Sequence, residues 1–246
     1  MSNTWKAIVS LQSSLVRLGR GAVVKGHRKP PELPLEFYDA EYCPYCRYVR
    51  EALTELDLDA LIHPVPKGGS RFRPVLQEQG GKVTVPFLYD PNTGRKLYES
   101  KDIVRYLYAE YGVQDRRPPL RLLALAVLAS ALRGRKGMFA RPSKPAAEPL
   151  ELYSFEASPY ARLVRETLCE LELPYHLHNV GKGRGKPTEW LPPGARKNYV
   201  ATTDNRRKLV ERGGQMMVPY LVDPNTGKAL YESADIQRYL LQTYGA

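Results

Sequence analysis

Cysteine is scarce in this chain, with three residues among 246. So small and odd a number excludes the disulfide framework of a small secreted protein. It favours a reducing compartment, where a C-x-x-C pair is redox-active or metal-binding rather than structural. We therefore expect a cytoplasmic protein.

Long apolar runs are also absent. The most apolar stretch, LRLLALAVLASALRG at residues 120–134, is shorter than the roughly 20 residues that a membrane-spanning helix requires. It is typical of a helix that is buried between modules or lies at an interface. The stretch ARPSKPAAEP at residues 140–149 has the composition of a proline-rich linker.

Acidic residues are missing from residues 1–30, which carry six lysines and arginines. Residues 113–147 carry eight more against one aspartate, so these two segments account for more than the whole net charge of +11. The rest of the chain is slightly acidic. This distribution argues against a nucleic-acid-binding fold and for local contacts, for example with an anionic membrane surface.

The first basic segment has the pattern of an amphipathic helix, because its apolar residues recur at intervals of three and four. These are Trp5, Ile8, Leu11, Leu15, Leu18 and Ala22. Such a helix packs on its own protein, lies peripherally on a membrane, or serves as a transit segment for an organelle. We favour packing on the protein, and the other two uses stay open.

What the chain does have is an internal repeat. EYCPYCRYVREAL at residues 41–53 returns as EASPYARLVRETL at residues 156–168, 115 positions later. VPFLYDPNTGRKLYESKDIVRYLYAEYG from Val85 returns as VPYLVDPNTGKALYESADIQRYLLQTYG from Val218, 133 positions later. Similarity over such long blocks indicates a tandem duplication. The second copy has 18 extra residues near 183–201, where Gly, Pro and basic residues are typical of a surface loop.

Each copy predicts the same order of elements. LEFYDA and LELYSF predict a first strand, IHPV and HLHNV a second, and PFLY-DPNTG-RKLY a hairpin with turn residues at its centre. Further helices are predicted near residues 74–79 and 205–212, and a last helix has Ser100 or Ser233 as its N-cap. On the helix after the first strand, apolar residues recur at helical spacing and should face a core: Val49, Leu53, Leu56, Val164, Leu168 and Leu171.

This order of elements, with CPYC at the first helix, VP before the hairpin and ES at the last helix, resembles the thioredoxin fold. It is most similar to glutaredoxins and to the N-terminal, glutathione-binding domain of glutathione transferases, over residues 35–112 and 150–245. The resemblance implies an α/β fold of two tandem thioredoxin-like domains with extra N-terminal and connector helices. The expected parts are a basic N-terminal helix, a glutaredoxin-like domain, a connector helix with its linker, and a transferase-like domain, at residues 1–34, 35–112, 113–149 and 150–246.

The pair Cys43 and Cys46 carries the chemistry that we expect of the first copy. A thiol at a helix N-terminus is stabilised as a thiolate by the free amides and the helix dipole, so Cys43 is the predicted nucleophile. Cys46, one turn deeper, is placed to resolve a mixed disulfide. Arg47 and Arg50 add positive charge nearby or are simply solvated. Half of a zinc site or two structural cysteines are the alternatives, and zinc would require a second pair of ligands. An iron–sulfur cluster is not expected, because the resemblance associates the proline of CPYC with its absence.

The resemblance also implies a glutathione pocket in each copy. Two Val-Pro pairs look like the cis-proline turn of this fold, although a proline that merely opens a strand has the same sequence. In the ES pairs, the serine and the helix-start amides would bind the glutathione carboxylate and the glutamate would accept its ammonium group, unless the pair is a plain helix cap. The implied glutathione-binding residues are Tyr45, Val85, Pro86, Glu99 and Ser100 in the first copy, and Ser158, Tyr160, Val218, Pro219, Glu232 and Ser233 in the second.

The second copy has lost both thiols, because Ser158 and Ala161 stand where the first copy has Cys43 and Cys46. In serine-type glutathione transferases a serine at this position hydrogen-bonds the glutathione sulfur. The second copy is therefore either a glutathione site or a decayed copy kept for packing. The third cysteine, Cys169, aligns with Thr54 and is expected to be a small core residue.

Three functions follow, in order of preference. The first is a glutathione-dependent thiol–disulfide oxidoreductase that reduces glutathione mixed disulfides, with glutathione as co-substrate and a disulfide or glutathionylated protein as partner. The second is a glutathione transferase that uses Ser158, although no all-helical C-terminal domain follows either copy. The third is a non-catalytic glutathione-binding or membrane-associated scaffold.

Overall fold

The computed structural model describes residues 10, 20–27, 29–113, 134–183, 187–190 and 199–246. Most of the predicted N-terminal amphipathic helix and all but the last residue of the apolar stretch at 120–134 lie outside these ranges. Among the helices that are described, none is long and apolar enough to cross a membrane.

The first module (residues 35–112) follows a short strand β1 (Val23–Val24). Its elements come in the predicted order: strand, helix, strand, helix, hairpin and helix. They are β2 (Leu35–Asp39), α1 (Pro44–Leu56), β3 (Ala60–Pro64), α2 (Arg73–Gly80), β4 (Phe87–Asp90), β5 (Arg95–Tyr98) and α3 (Ser100–Glu110).

The second module (residues 150–246) repeats this order and adds a short strand and a 3-10 turn (Pro187–Trp190) between its second strand and second helix. That addition falls where the sequence predicts the 18 extra residues. The elements are β6 (Leu150–Ser154), α4 (Pro159–Glu170), β7 (Tyr175–Asn179), β8 (Lys182–Gly183), α5 (Asp204–Gly213), β9 (Tyr220–Asp223), β10 (Lys228–Leu230) and α6 (Ser233–Tyr244).

A single apolar cluster runs through both modules. The strands β2 and β6 and the helices α1 and α4 bury their apolar sides in it, because those residues recur at the strand and helix periods. The six helix residues that the sequence predicts to face a core are all buried, which confirms that prediction. Burial of each such side chain stabilises the fold by about 1.5 to 3 kcal/mol.

One eight-stranded sheet joins the two modules, in the order β10-β9-β6-β7-β3-β2-β4-β5. Within each module the first two strands are parallel and the hairpin is antiparallel, as in a thioredoxin-like domain. The edge strands β3 and β7 pair antiparallel, with Ala60 opposite Leu177 and Ile62 opposite Tyr175. Each module thereby covers an edge that would otherwise be exposed.

Two extended segments, which we call strap 1 (residues 20–27) and strap 2 (residues 136–144), also hold the modules together. In strap 1, β1 pairs with β8 of the second module, and the next two amides donate to the Glu55 carbonyl of the first module, at 2.6 and 3.3 Å. In strap 2, Phe139 pairs with Lys67 of the first module, and the Arg141 amide donates to the Glu170 carbonyl of the second at 2.7 Å. The two straps make corresponding contacts, because each donates an amide to the matching glutamate carbonyl of the two modules, Glu55 or Glu170.

Candidate functional site

The sheet brings the predicted site elements of the first module to one edge. Tyr38 at the end of β2 lies opposite Phe87 at the start of β4, and Phe87 lies opposite Tyr98 at the end of β5. The Val-Pro pair directly precedes Phe87, the Glu-Ser pair directly follows Tyr98, and α1 begins a few residues after Tyr38. These three site elements therefore converge at one end of the strands, which is where thioredoxin-like domains carry their sites.

The second module repeats this convergence. Tyr153 at the end of β6 lies opposite Tyr220, and Leu221 lies opposite Leu230 at the end of β10. The Val85–Pro86 and Val218–Pro219 peptide bonds are both cis, as the resemblance implies.

Cys43 is the N-cap residue of α1, with φ −74° and ψ 122°. Its amide donates to the Ala40 carbonyl at 2.9 Å, and a proline follows at the first turn, where its missing N–H costs nothing. The Cys43 side chain keeps 8% exposure, whereas Cys46 is fully buried. Both are free thiols. A reagent therefore meets Cys43 first.

The two thiols have opposite acidities. A hydrogen bond from the Cys46 thiol lowers the pKa of Cys43, and the backbone amides of Cys46 and Tyr45 add to this effect against the cost of burial. Burial raises the pKa of Cys46 well above its ordinary value, and the neighbouring Cys43 sulfur raises it further. Cys43, which is 8% exposed, is therefore the more acidic thiol, and the fully buried Cys46 is the less acidic one.

Ser158 has the position and backbone of Cys43, as N-cap of α4 with φ −66° and ψ 117°. Its hydroxyl oxygen accepts the Ala161 amide at 3.3 Å, and the residue is 2% exposed. The hydroxyl can still donate its proton to a sulfur, but it cannot form a disulfide. Tyr45 and Tyr160 are equivalent and both exposed, at the rims of the two sites.

The Glu-Ser pairs differ from the prediction by one residue. Glu99 and Glu232 are the N-caps of α3 and α6, and Ser100 and Ser233 are the first helical residues, so the prediction of serine N-caps is wrong. Both glutamates have positive φ, 63° and 64°, which is uncommon outside glycine and marks candidate functional positions. Their carboxylates are exposed and do not cap the helix.

Arg47 and Arg50 are not solvated, as one interpretation of the sequence had it. They lie in a buried ionic cluster that spans both modules and packs directly behind the two motifs. Burial, together with the charge of the neighbouring Arg47, lowers the pKa of Arg162 in this cluster to about 9. The members of the ionic cluster are Asp39, Glu41, Arg47, Arg50, Glu51, Glu156, Arg162 and Arg165.

The ionic cluster was not predicted from the sequence, although both copies contain a signal for it. In each copy a glutamate precedes the motif by two residues, and arginines follow the motif's first residue by four and seven. Solvated charges have no reason to keep the same spacing in two copies. Within the described ranges, no group of three or more His, Cys, Asp or Glu side chains is arranged to hold a metal ion.

Comparison with known proteins identifies the family of the chain. The family model for the glutathione S-transferase N-terminal domain matches the chain twice, at residues 37–118 and 152–246. A solved trimeric glutathione transferase, Leishmania TDR1, matches at 13% identity over 86% of this chain and 67% of its own, with a TM-score of 0.29. No curated protein matches the sequence. The two matches to the family model cover most of the chain, which therefore belongs to the glutathione S-transferase N-terminal domain family and contains that domain twice.

Proposed function

We propose that the protein is a glutathione-dependent thiol–disulfide oxidoreductase that uses Cys43 of the first module. The observation that carries the proposal is the pairing of Cys43, which is 8% exposed and has a lowered pKa, with Cys46, which is fully buried and has a raised pKa. A nucleophilic thiolate above a protonated resolving thiol is what disulfide exchange requires.

The proposed reaction begins when the Cys43 thiolate attacks the glutathione sulfur of a mixed disulfide. A new disulfide forms between Cys43 and glutathione, and the substrate leaves as its thiolate. The thiolate of a second glutathione then attacks this adduct, which releases oxidised glutathione and restores the Cys43 thiolate. The protein sulfur of the substrate is thereby reduced to a thiol, the incoming glutathione thiol is oxidised, and the glutathione of the mixed disulfide stays in a disulfide, so the exchange needs no other reductant. Cys46 offers a second route, because its thiol can displace glutathione after losing its proton and form a Cys43–Cys46 disulfide.

Glutathione is the proposed co-substrate of both modules. Glu99 is exposed at the same edge as Cys43, where its carboxylate can accept the ammonium group of glutathione. The free amides at the start of α3 suit the adjacent carboxylate. A glutathionylated protein is the proposed partner. We also propose that the protein is cytoplasmic and that its basic segments contact a membrane peripherally.

Turnover of a small glutathione mixed disulfide, coupled to oxidised-glutathione formation, tests the function. Wild type should turn over, Cys43→Ser should lose activity completely, and Cys46→Ser should keep part of it through the route that needs one thiol. Cys169→Ser is the control for loss of a thiol outside the CPYC motif, and it should stay active because the serine hydroxyl can still accept the Glu41 amide. Activity in Cys43→Ser would contradict the proposal, as would an inactive wild type that binds glutathione by calorimetry.

Glutathione transfer at Ser158 is the second candidate, and one observation favours it. The serine hydroxyl sits at the N-terminus of α4 and keeps a proton that it can donate to a glutathione thiolate. Conjugation of glutathione to an electrophilic chlorodinitrobenzene, measured in wild type and in Ser158→Ala, tests this candidate. Conjugation that Ser158→Ala loses and Cys43→Ser keeps would establish it.

A further inference from the structure

We infer that Arg165 of the second module is a positioning residue for Cys43 of the first, acting through Glu41. Arg165 donates from Nε to Glu41 Oε2 at 3.1 Å and from Nη2 to Glu41 Oε1 at 3.2 Å. Both side chains are buried, at 1% and 3% exposure. Two parallel hydrogen bonds from one guanidinium fix the orientation of a carboxylate, and Glu41 lies two residues before Cys43. The inference rests on the proposed role of Cys43.

The second module also holds the backbone of Glu41. The Glu41 amide donates to the Cys169 sulfur of α4 at 3.5 Å, and that thiol donates in turn to the Gly137 carbonyl of strap 2 at 3.3 Å. The first module contributes one further bond, from Arg50 Nη2 to the Glu41 carbonyl at 3.2 Å. The chain that enters the CPYC motif is thus tied at its side chain, its N–H and its carbonyl.

The equivalent contacts exist in the second module, where Ser158 stands at the position of Cys43. Arg50 Nε donates to Glu156 Oε2 at 2.9 Å, and the Glu156 amide donates to the Thr54 hydroxyl at 3.2 Å. Glu156 precedes Ser158 as Glu41 precedes Cys43. Both copies keep these reciprocal bonds, although only the first copy keeps the two motif thiols. The second module therefore still contributes to the site of the first.

The geometry connects this tie to the acidity of Cys43. The amides of Tyr45 and Cys46 and the thiol of Cys46 lower the pKa of Cys43, and their effect depends on where the Cys43 sulfur sits relative to them. A loop that enters α1 less firmly lets the sulfur move away from these donors. The pKa of Cys43 then rises toward that of a free thiol. A module that lacks the two motif thiols thereby controls the reactivity of a thiol in its neighbour.

Arg165→Lys tests the inference, because lysine keeps the positive charge and loses the two parallel bonds. The measurement is the pH dependence of Cys43 alkylation by iodoacetamide, with the site assigned by peptide mass and no glutathione present. We expect the midpoint to rise by roughly one pH unit, so that the rate at neutral pH falls by as much as about tenfold. The matched control is Arg212→Lys, since Arg212 makes an exposed bidentate pair with Glu151, at 2.6 and 3.0 Å.

A second control separates positioning from a general loss of stability. Ile236→Val removes one methylene group from the core of α6 and lowers stability with no change of charge. It should leave the alkylation profile of Cys43 unchanged. An unchanged profile in Arg165→Lys, or the same shift in Ile236→Val, would overturn the inference.

Should Arg165→Lys fail to fold, two milder variants carry the test. Cys169→Ala removes the acceptor of the Glu41 amide and should raise the alkylation midpoint of Cys43, whereas Cys169→Ser restores an acceptor and should return it. No shift in Cys169→Ala then overturns the inference. Alkylation requires no glutathione, so a shifted profile in a protein without glutathione turnover would reject the proposed function and keep this inference.

Discussion

Arg50 and Glu156 form a buried bond between the two modules, with Arg50 Nε 2.9 Å from Glu156 Oε2 and side-chain exposures of 2% and 1%. The same guanidinium contacts Asp39 at 2.5 Å. Burial by itself would raise the pKa of Glu156, and Arg165 and Arg50 more than reverse this, so the carboxylate stays ionised inside the protein. The interface is therefore held by charge as well as by the shared sheet and apolar core.

Arg50→Ala should destabilise the protein strongly, because it leaves three buried carboxylates, those of Asp39, Glu41 and Glu156, with fewer partners. We expect the free energy of unfolding to fall by about 3 to 5 kcal/mol. Urea unfolding measures this loss. Arg105→Ala, which removes an exposed partner of Asp102 on α3, should cost only about 0.5 kcal/mol or less. Equal losses in the two variants would show that the ionic cluster does not stabilise the fold.

The hydrogen bond from Cys46 to Cys43 determines how we expect the alkylation of Cys43 to depend on pH. Because this bond lowers the pKa of Cys43, the thiolate forms at lower pH in the folded chain than in a free cysteine, and alkylation of Cys43 should reach its plateau earlier. Cys46→Ala removes the donor and should move the alkylation midpoint to higher pH. Cys46→Ser keeps a hydroxyl donor and should move it less. A midpoint that stays in place in Cys46→Ala would assign the acidity to the helix alone.

Gly21 in strap 1 should tolerate no side chain. It has φ +69°, and an added Cβ would come within 2.8 Å of the Cβ of Glu156. Gly94 in the β4–β5 turn has the same φ with open space around it. Gly94→Ala should cost about 1 to 2 kcal/mol from backbone conformation, and Gly21→Ala roughly 1 to 3 kcal/mol more from crowding. Equal losses of stability in the two variants, measured by thermal unfolding, would mean that strap 1 shifts to make room for the added methyl group.

Much of the fold could be predicted because the chain contains each pattern twice. The elements that the two modules share and the position of the extra loop follow from local periodicity and turn residues that occur in both copies. The strand β1 does not, because Val23–Val24 lie in the segment that the sequence predicts to be an N-terminal helix. The pairing of β3 with β7 could not be predicted from the sequence, because pairing between edge strands that are far apart in the chain leaves no local pattern. Neither ALIHP of β3 nor YHLHN of β7 contains a residue pattern that identifies its partner strand.

The DPNTG turn shows a second limit. Its residues predict a turn, but they do not predict that Asp90 accepts hydrogen bonds from the hydroxyls of Tyr106 and Tyr111, each at 2.5 Å. Asp223 does the same with two tyrosines of α6. Each aspartate therefore fastens its hairpin to the last helix, and the tyrosines that do this look like ordinary helix residues in the sequence.

The candidate site likewise has features that the sequence predicts and features that it does not. The position of Cys43, the two Val-Pro pairs and the Glu-Ser pairs follow from motifs that act locally. The positive φ of Glu99 and the burial of Arg165 do not, because each depends on contacts that form only after folding. The role that we infer for the second module lies entirely in this second class.

The central claim is that Cys43 exchanges disulfides with glutathione, and intact-mass analysis tests it most directly. Cys46→Ser, exposed to oxidised glutathione, should gain a single glutathionyl group, and peptide mapping should place it on Cys43. Reduced glutathione should then remove it. A chain that takes up no glutathione, or takes it up on Cys169 instead of Cys43, would contradict the account.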